Sequence, residues 1–200
     1  MNFLAHCALA DSAPGILVGG FLGDFVKGPV PAQLPDDVRA GVQLHRRLDA
    51  FSAVEPNIKR SVLRLPTVAR RLAPVFIDLV TDHFLARTFE RWHGEPLPQF
   101  TTRAYRTLHA HATLLSDDAN RFLLFASEHD LFSTYAYLAP IERAFGRICR
   151  RLDRLELAPT CMAALDADYA AFEADFHEYY PALQSHADDW LAERRARARG

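Results

Sequence analysis

Apolar residues recur at three- and four-residue spacing along almost all of this 200-residue chain, and no stretch alternates for long enough to compel a strand. Glycine is scarce after Gly41. The pattern predicts an all-α fold: one helical domain of about eight helices over residues 1–195, followed by a basic tail at 196–200. That tail ends the run ERRARARG and reads as frayed and solvated. Helices are expected at Asn2 to Leu9, at Ile16 to Lys27 (ended by Gly28-Pro29), and through PDDVRAGVQLHRRLDAF to about Ala53. The segment IKRSVLRL is expected as a short basic connection. Further helices are expected at Thr67 to Ala73, to about Trp92, at Phe100 to Leu114, at Asp118 to Glu128, at Ile141 to Leu155, and at Thr160 to Tyr180. Pro74 either kinks its helix or opens the next one, and Pro181 interrupts the last.

Within this pattern, FIDLVTDHFL (Phe76–Leu85) stands out. It is apolar nearly all round, as a central helix is, yet it carries Asp78, Asp82 and His83. At 100° per residue the two acids lie about 40° apart. Two carboxylates on one face repel unless a cation accompanies them, and an unpaired buried carboxylate costs several kcal/mol. The preceding helix repeats the pattern: His45 and Asp49 are four residues apart on the stripe made by Val38, Val42 and Leu48. Asp24 is the single acid in GILVGGFLGDFV, and His6 sits in NFLAHCALA.

Carboxylates and imidazoles at i, i+4 on facing helices are how helical proteins build divalent-metal sites. Such a set suits Mn²⁺, Mg²⁺ or Fe²⁺, and no cysteine arrangement argues for structural zinc. The chemistry it supports is hydrolysis, with the metal lowering the pKa of a water and neutralising phosphoryl charge. The competing reading is a buried salt-bridge network joining Arg46, Arg47 and Arg71 to these acids. The aromatic stripe Tyr169, Phe172, Phe176, Tyr179 and Leu183 reads as core.

Other features exclude whole classes. A net charge of −2 gives no general case for nucleic-acid binding. Cys7, Cys149 and Cys161 form no paired spacing, which suits a reduced, cytoplasmic protein. The N-terminus lacks a basic secretory n-region, and the apolar run before Asp24 is short of the ~20 residues a membrane span needs.

MNFLAH, GGFLGDFVKG, GVQLHRRLDAF and FIDLVTDHFLAR, in that order over roughly residues 1 to 92, resemble the acyl carrier protein phosphodiesterase family. The final third is similar more weakly, through DADYAAFEADFHEYYP. The resemblance implies a fold related to HD-domain phosphohydrolases, in which the usual adjacent His-Asp pair here stands reversed as Asp82-His83. It implies a manganese-dependent enzyme that cleaves 4'-phosphopantetheine from the serine of holo-acyl carrier protein. Carried over to this chain, it implies functional positions at His6, Asp24, His45, Asp49, Asp78, Asp82 and His83. Asp24, His45, Asp49, Asp78 and Asp82 are the expected metal ligands. His83, about 140° round the helix from Asp78, is the expected acid; His6 joins the catalytic set, and Arg46 is the expected phosphate binder. Because acyl carrier proteins are acidic, the cations between Arg39 and Arg71 are an expected docking face. The oligomeric state is left open. Two alternatives remain: a phosphohydrolase of a nucleotide or other small phosphodiester, and a non-catalytic helical binding protein.

Overall fold

Eleven α-helices, two single 3-10 turns and no strand make up the described part of the chain, residues 3–197 of a computed structural model. In chain order they are α1 (Phe3–Leu9), α2 (Pro14–Leu22), α3 (Asp36–Val54), α4 (Pro56–Arg64), α5 (Ala73–His93) and α6 (Leu97–Ala110). There follow α7 (Asp117–Glu128), α8 (Leu131–Thr134), α9 (Leu138–Arg151), α10 (Leu157–Ala167) and α11 (Tyr169–Arg197). The 3-10 turns lie at Thr67–Ala69 and Ala112–Leu114. None of the described helices is long and apolar enough to cross a membrane.

The count of eleven corrects the expected eight, for local reasons. IKRSVLRL is not a connection but the body of α4, opened by Pro56 in its first turn and turning Ile58 and Val62 inward. Thr67 to Ala73 forms only a 3-10 turn, and Pro74 lies in the first turn of α5, where its missing N–H leaves nothing unpaired. The long helix expected from Thr160 divides at Asp168, which has φ −119° and ψ 24°. Pro181 lies inside α11, where Tyr179, Tyr180 and Leu183 are buried on both sides of it and offset the lost hydrogen bond. The last helix takes in residues 196 and 197, and the rest of the expected basic tail lies outside the described residues.

The middle of α5 is buried on most sides, by Phe76, Ile77, Leu79, Val80, Phe84 and Leu85 among others, and α1, α6, α9 and α11 pack about it. α2 and α3 meet backbone to backbone. A Cβ on Gly19 would stand 2.1 Å from the Val38 carbonyl oxygen, and one on Gly41 would stand 2.2 Å from that of Ile16. Nothing larger than hydrogen fits between them, which accounts for the glycines of GILVGGFLGDFV.

α4 is tied to α11 by Asp175, which is 3% exposed. Its carboxylate accepts from Arg60 Nε at 2.5 Å, Ser61 Oγ at 2.9 Å and Arg64 Nε at 3.0 Å. These bonds hold the acid's pKa below its usual value against the opposing effect of burial. Asp175→Ala leaves the buried Ser61 hydroxyl without its acceptor, while Arg60 keeps Glu178 and solvent, and is expected to cost about 2 kcal/mol. Urea unfolding of the variant, with unchanged m-value, checks this; a shift under about 0.5 kcal/mol contradicts it.

Candidate active site

α1, α2 and α3 converge on one cluster. Asp82, wholly buried on α5, accepts the backbone N–H groups of Leu4 at 3.0 Å and Ala5 at 2.9 Å. It therefore caps the start of α1, and burial pushes its pKa up to about 8 against those two hydrogen bonds. With α1 pinned there, His6 lies one residue further on, and its Nε2 meets Asp49 Oδ1 at 3.1 Å. From α3, His45 Nε2 meets the other oxygen, Oδ2, at 3.3 Å. The two imidazoles stack face to face, with centroids 3.6 Å apart and planes at 17°.

The tautomer of His45 follows from its other nitrogen. Nδ1 donates to the Gly20 carbonyl at 2.8 Å, so in the neutral ring the Nε2 lone pair faces the Asp49 carboxylate. That arrangement is stable only with a proton or another cation between the two atoms. Gly23 makes the placement possible, since a Cβ there would stand 2.2 Å from His45 Cγ. Both histidines are buried, whereas the Asp49 side chain is 58% exposed, so the cluster opens to solvent through its carboxylate.

The electrostatics separate the three groups. Burial, reinforced by the charge of His45, lowers the His6 pKa to about 4. Burial also pulls on His45, but the bond to Asp49 and the charges of Asp24 and Asp49 outweigh it and leave its pKa raised. Burial raises Asp49, yet its two imidazole partners hold it well below the usual carboxylate range. Without metal, then, Asp49 favours its anion, and a proton on the cluster favours His45 over His6.

His6, His45 and Asp49 each offer a ligand atom within 4.8 Å of the others, and no other set of three such residues converges this way among the described residues. Two further polar atoms, His6 Nδ1 and Asp24 Oδ2, are buried with no hydrogen-bond partner. Two imidazole nitrogens and a carboxylate fit Mn²⁺ or Fe²⁺, and fit Mg²⁺, which prefers oxygen, less well.

The remaining expected residues fall elsewhere. Asp24 follows α2 and acts on both imidazoles through its charge. Asp78 is half-buried, its pKa raised by burial and by the charges of Asp49 and Asp24. Both Asp82 oxygens are engaged by α1. His83 points away from the cluster: Nδ1 lies 2.8 Å from the Tyr135 carbonyl and Nε2 2.8 Å from the Tyr169 hydroxyl, and burial lowers its pKa. Arg46 donates to the Val26 and Gly28 carbonyls at 3.1 and 2.6 Å, and so secures the loop after α2. Of the cations expected to form a docking face, Arg39 pairs with Asp36, and Arg60 and Arg64 with Asp175. Arg46 and Arg47 instead join Arg194 and Arg197 of α11 around a polar cleft of about 630 Å³ that also holds Gln43, Trp190 and Glu193, the last paired with Arg197. Sequence reasoning missed the partnership with α11, because nothing local ties residue 47 to residue 194.

Fold and cluster define a class: an all-helical protein that carries two histidines and an aspartate at the opening of its core. The chain belongs to the acyl carrier protein phosphodiesterase family, a family of phosphodiesterase enzymes, whose model matches residues 1–183. It is 34% identical over 192 residues to the acyl carrier protein phosphodiesterase of Enterobacter sp. (strain 638), and 32% identical over 191 residues to that of Escherichia coli O157:H7 (strain EC4115 / EHEC). Each alignment covers 94% of this chain and 97% of the relative. No solved structure matches it.

The pH dependence of stability tests the cluster. His6, with a folded pKa of about 4, disfavours its charged form in the fold. Its contribution is whole above about 6.5 and is lost as pH falls towards 4, by about 3 kcal/mol in all. His45, raised, contributes stability that is whole below about 6.5 and is lost as pH rises through its folded value. In the chelator-treated protein His6→Gln is therefore expected to flatten the acid side of the stability curve. Equal acid slopes in the two proteins would contradict the assignment.

Proposed function

We propose that this chain is a metal-dependent phosphodiesterase that hydrolyses 4'-phosphopantetheine from the serine of holo-acyl carrier protein, leaving the apo-protein. The observation that carries the reading is the convergence of His6, His45 and Asp49 at a solvent-facing point in a chain of this family. Mn²⁺ is the proposed ion, with Fe²⁺ and then Mg²⁺ as substitutes, held by those three residues. Bound there, it would supply charge neutralisation at a phosphoryl oxygen and a more acidic water. The kinship with HD-domain phosphohydrolases belongs to the same proposal, supported by a centre built from histidines and an aspartate on helices.

The residues divide the remaining work. The Gly20 carbonyl orients His45 and keeps its Nε2 directed at Asp49. Asp82 sets the position of His6 through the start of α1. The charges of Asp24 and Asp78 beside the cluster favour a cation. Both ring nitrogens of His83 are engaged, so the proton for the departing serine oxygen comes from water. An acidic carrier protein would meet the basic cleft at Arg47 and Arg194, where charge acts chiefly on the encounter rate.

Intact-mass spectrometry of holo-acyl carrier protein, incubated with the enzyme and Mn²⁺ or with chelator, tests the reading. Metal-dependent loss of the 4'-phosphopantetheine mass is expected. Turnover of free nucleotides with none of the carrier protein would point to the small-phosphodiester alternative. Gly23→Ala, which displaces the His45 ring, is expected to lower the rate about 10- to 100-fold while helicity by circular dichroism is kept. A Gly23→Ala enzyme with full activity would count against the cluster.

A further inference from the structure

A second cleft, of about 660 Å³, shares Asp49 with the cluster. It lies between α3, α4 and α5, and both Asp49 and Asp78 line it. Beyond these acids its walls are mainly apolar, from Ala53, Ile58, Val62 and Leu63, and Lys59 and Ser52 are the polar exceptions. Leu63, at 64% exposure, presents an apolar edge of the groove to solvent. Isolated exposed apolar side chains need no explanation, but a group of them continuous with a polar centre marks a binding groove.

We infer that this groove holds the pantetheine arm of the substrate, laid from Asp49 along α4; the inference rests on the proposed function. Two chains leave the scissile phosphorus, a folded carrier protein and a linear arm. A recess between three helices admits the linear one and excludes a folded domain. The lining matches the arm's chemistry, which is uncharged beyond the phosphate: a branched hydrocarbon segment beside it, then two amides and a thiol. Among the described residues Lys59 is its one cation and no aromatic ring lines it to stack a nucleobase, so it suits a nucleotide poorly. Ser52 is held by the Leu48 carbonyl and Tyr179, at 2.8 and 2.5 Å, and this fixes the groove floor. Asp175 fixes its α4 wall. The apolar groove, which Asp49 helps to line, thus takes the arm and leaves the folded carrier protein outside it.

Two variants obstruct the groove from opposite sides, Ala53→Trp by bulk and Leu63→Asp by charge at an exposed position. The experiment measures steady-state cleavage of holo-acyl carrier protein by each, with thermal melting as the check on folding. Free pantetheine, which has no phosphate to bind the centre, is tested as a competitor. Both variants are expected to lower kcat/KM about tenfold or more, mainly through KM, and pantetheine is expected to compete against the wild type and much less against the variants. Variants with wild-type kcat/KM, or wild-type turnover that pantetheine leaves unaffected, would overturn the groove assignment alone. A wild-type enzyme that leaves holo-acyl carrier protein intact would overturn the proposed function and this inference with it, and that result is read before any variant is needed.

Discussion

The centre depends on the contact of Gly19 with Gly41. A ligand set drawn from α1 and α3 requires those helices to lie within side-chain reach of one point, and α2 packs against both. With a side chain at either glycine, α2 and α3 would separate by more than the hydrogen-bond distances of the cluster tolerate. Because they meet at the backbone, the Gly20 carbonyl reaches the His45 ring, and Gly23 leaves room for that ring to lie flat against the end of α2. The glycines therefore orient a functional side chain. They do not serve as a hinge.

The centre is supported from behind by α5. A carboxylate on a buried helix has two physical solutions, a cation or a set of hydrogen-bond donors. Asp82 takes the second: the first turn of α1 offers unpaired N–H groups, and the acid accepts two of them. Asp78, one turn earlier and half-buried, lies near enough to Asp49 for their charges to interact. One helix thus carries one acid that places a short helix and another whose charge is coupled to that of Asp49. In the sequence the two look alike.

This difference marks how far the sequence could be read. The apolar periodicity, the caps and the mid-helix polar residues made the helical architecture, the α3 pair and the α5 acids legible. Their division of labour was not legible, because it turns on where α1 docks, a contact spanning 78 residues. His83 was expected as an acid from its angle on α5, yet the partners that occupy it are Tyr135 and Tyr169, contributed by distant segments. The amphipathic α4 was read as a basic connection because its arginines dominate the composition; Asp175, which neutralises two of them, lies more than a hundred residues away. The groove was hidden for the same reason, since α4 is one of its walls.

The account stands or falls on whether His6, His45 and Asp49 bind one metal ion. The most direct measurement is electron spin-echo envelope modulation of Mn²⁺ added to the protein, which reads imidazole nitrogens bound to the ion. Two such nitrogens are predicted, reduced to one in His6→Ala and in His45→Ala. A spectrum without imidazole nitrogen, or one that neither substitution changes, would contradict it.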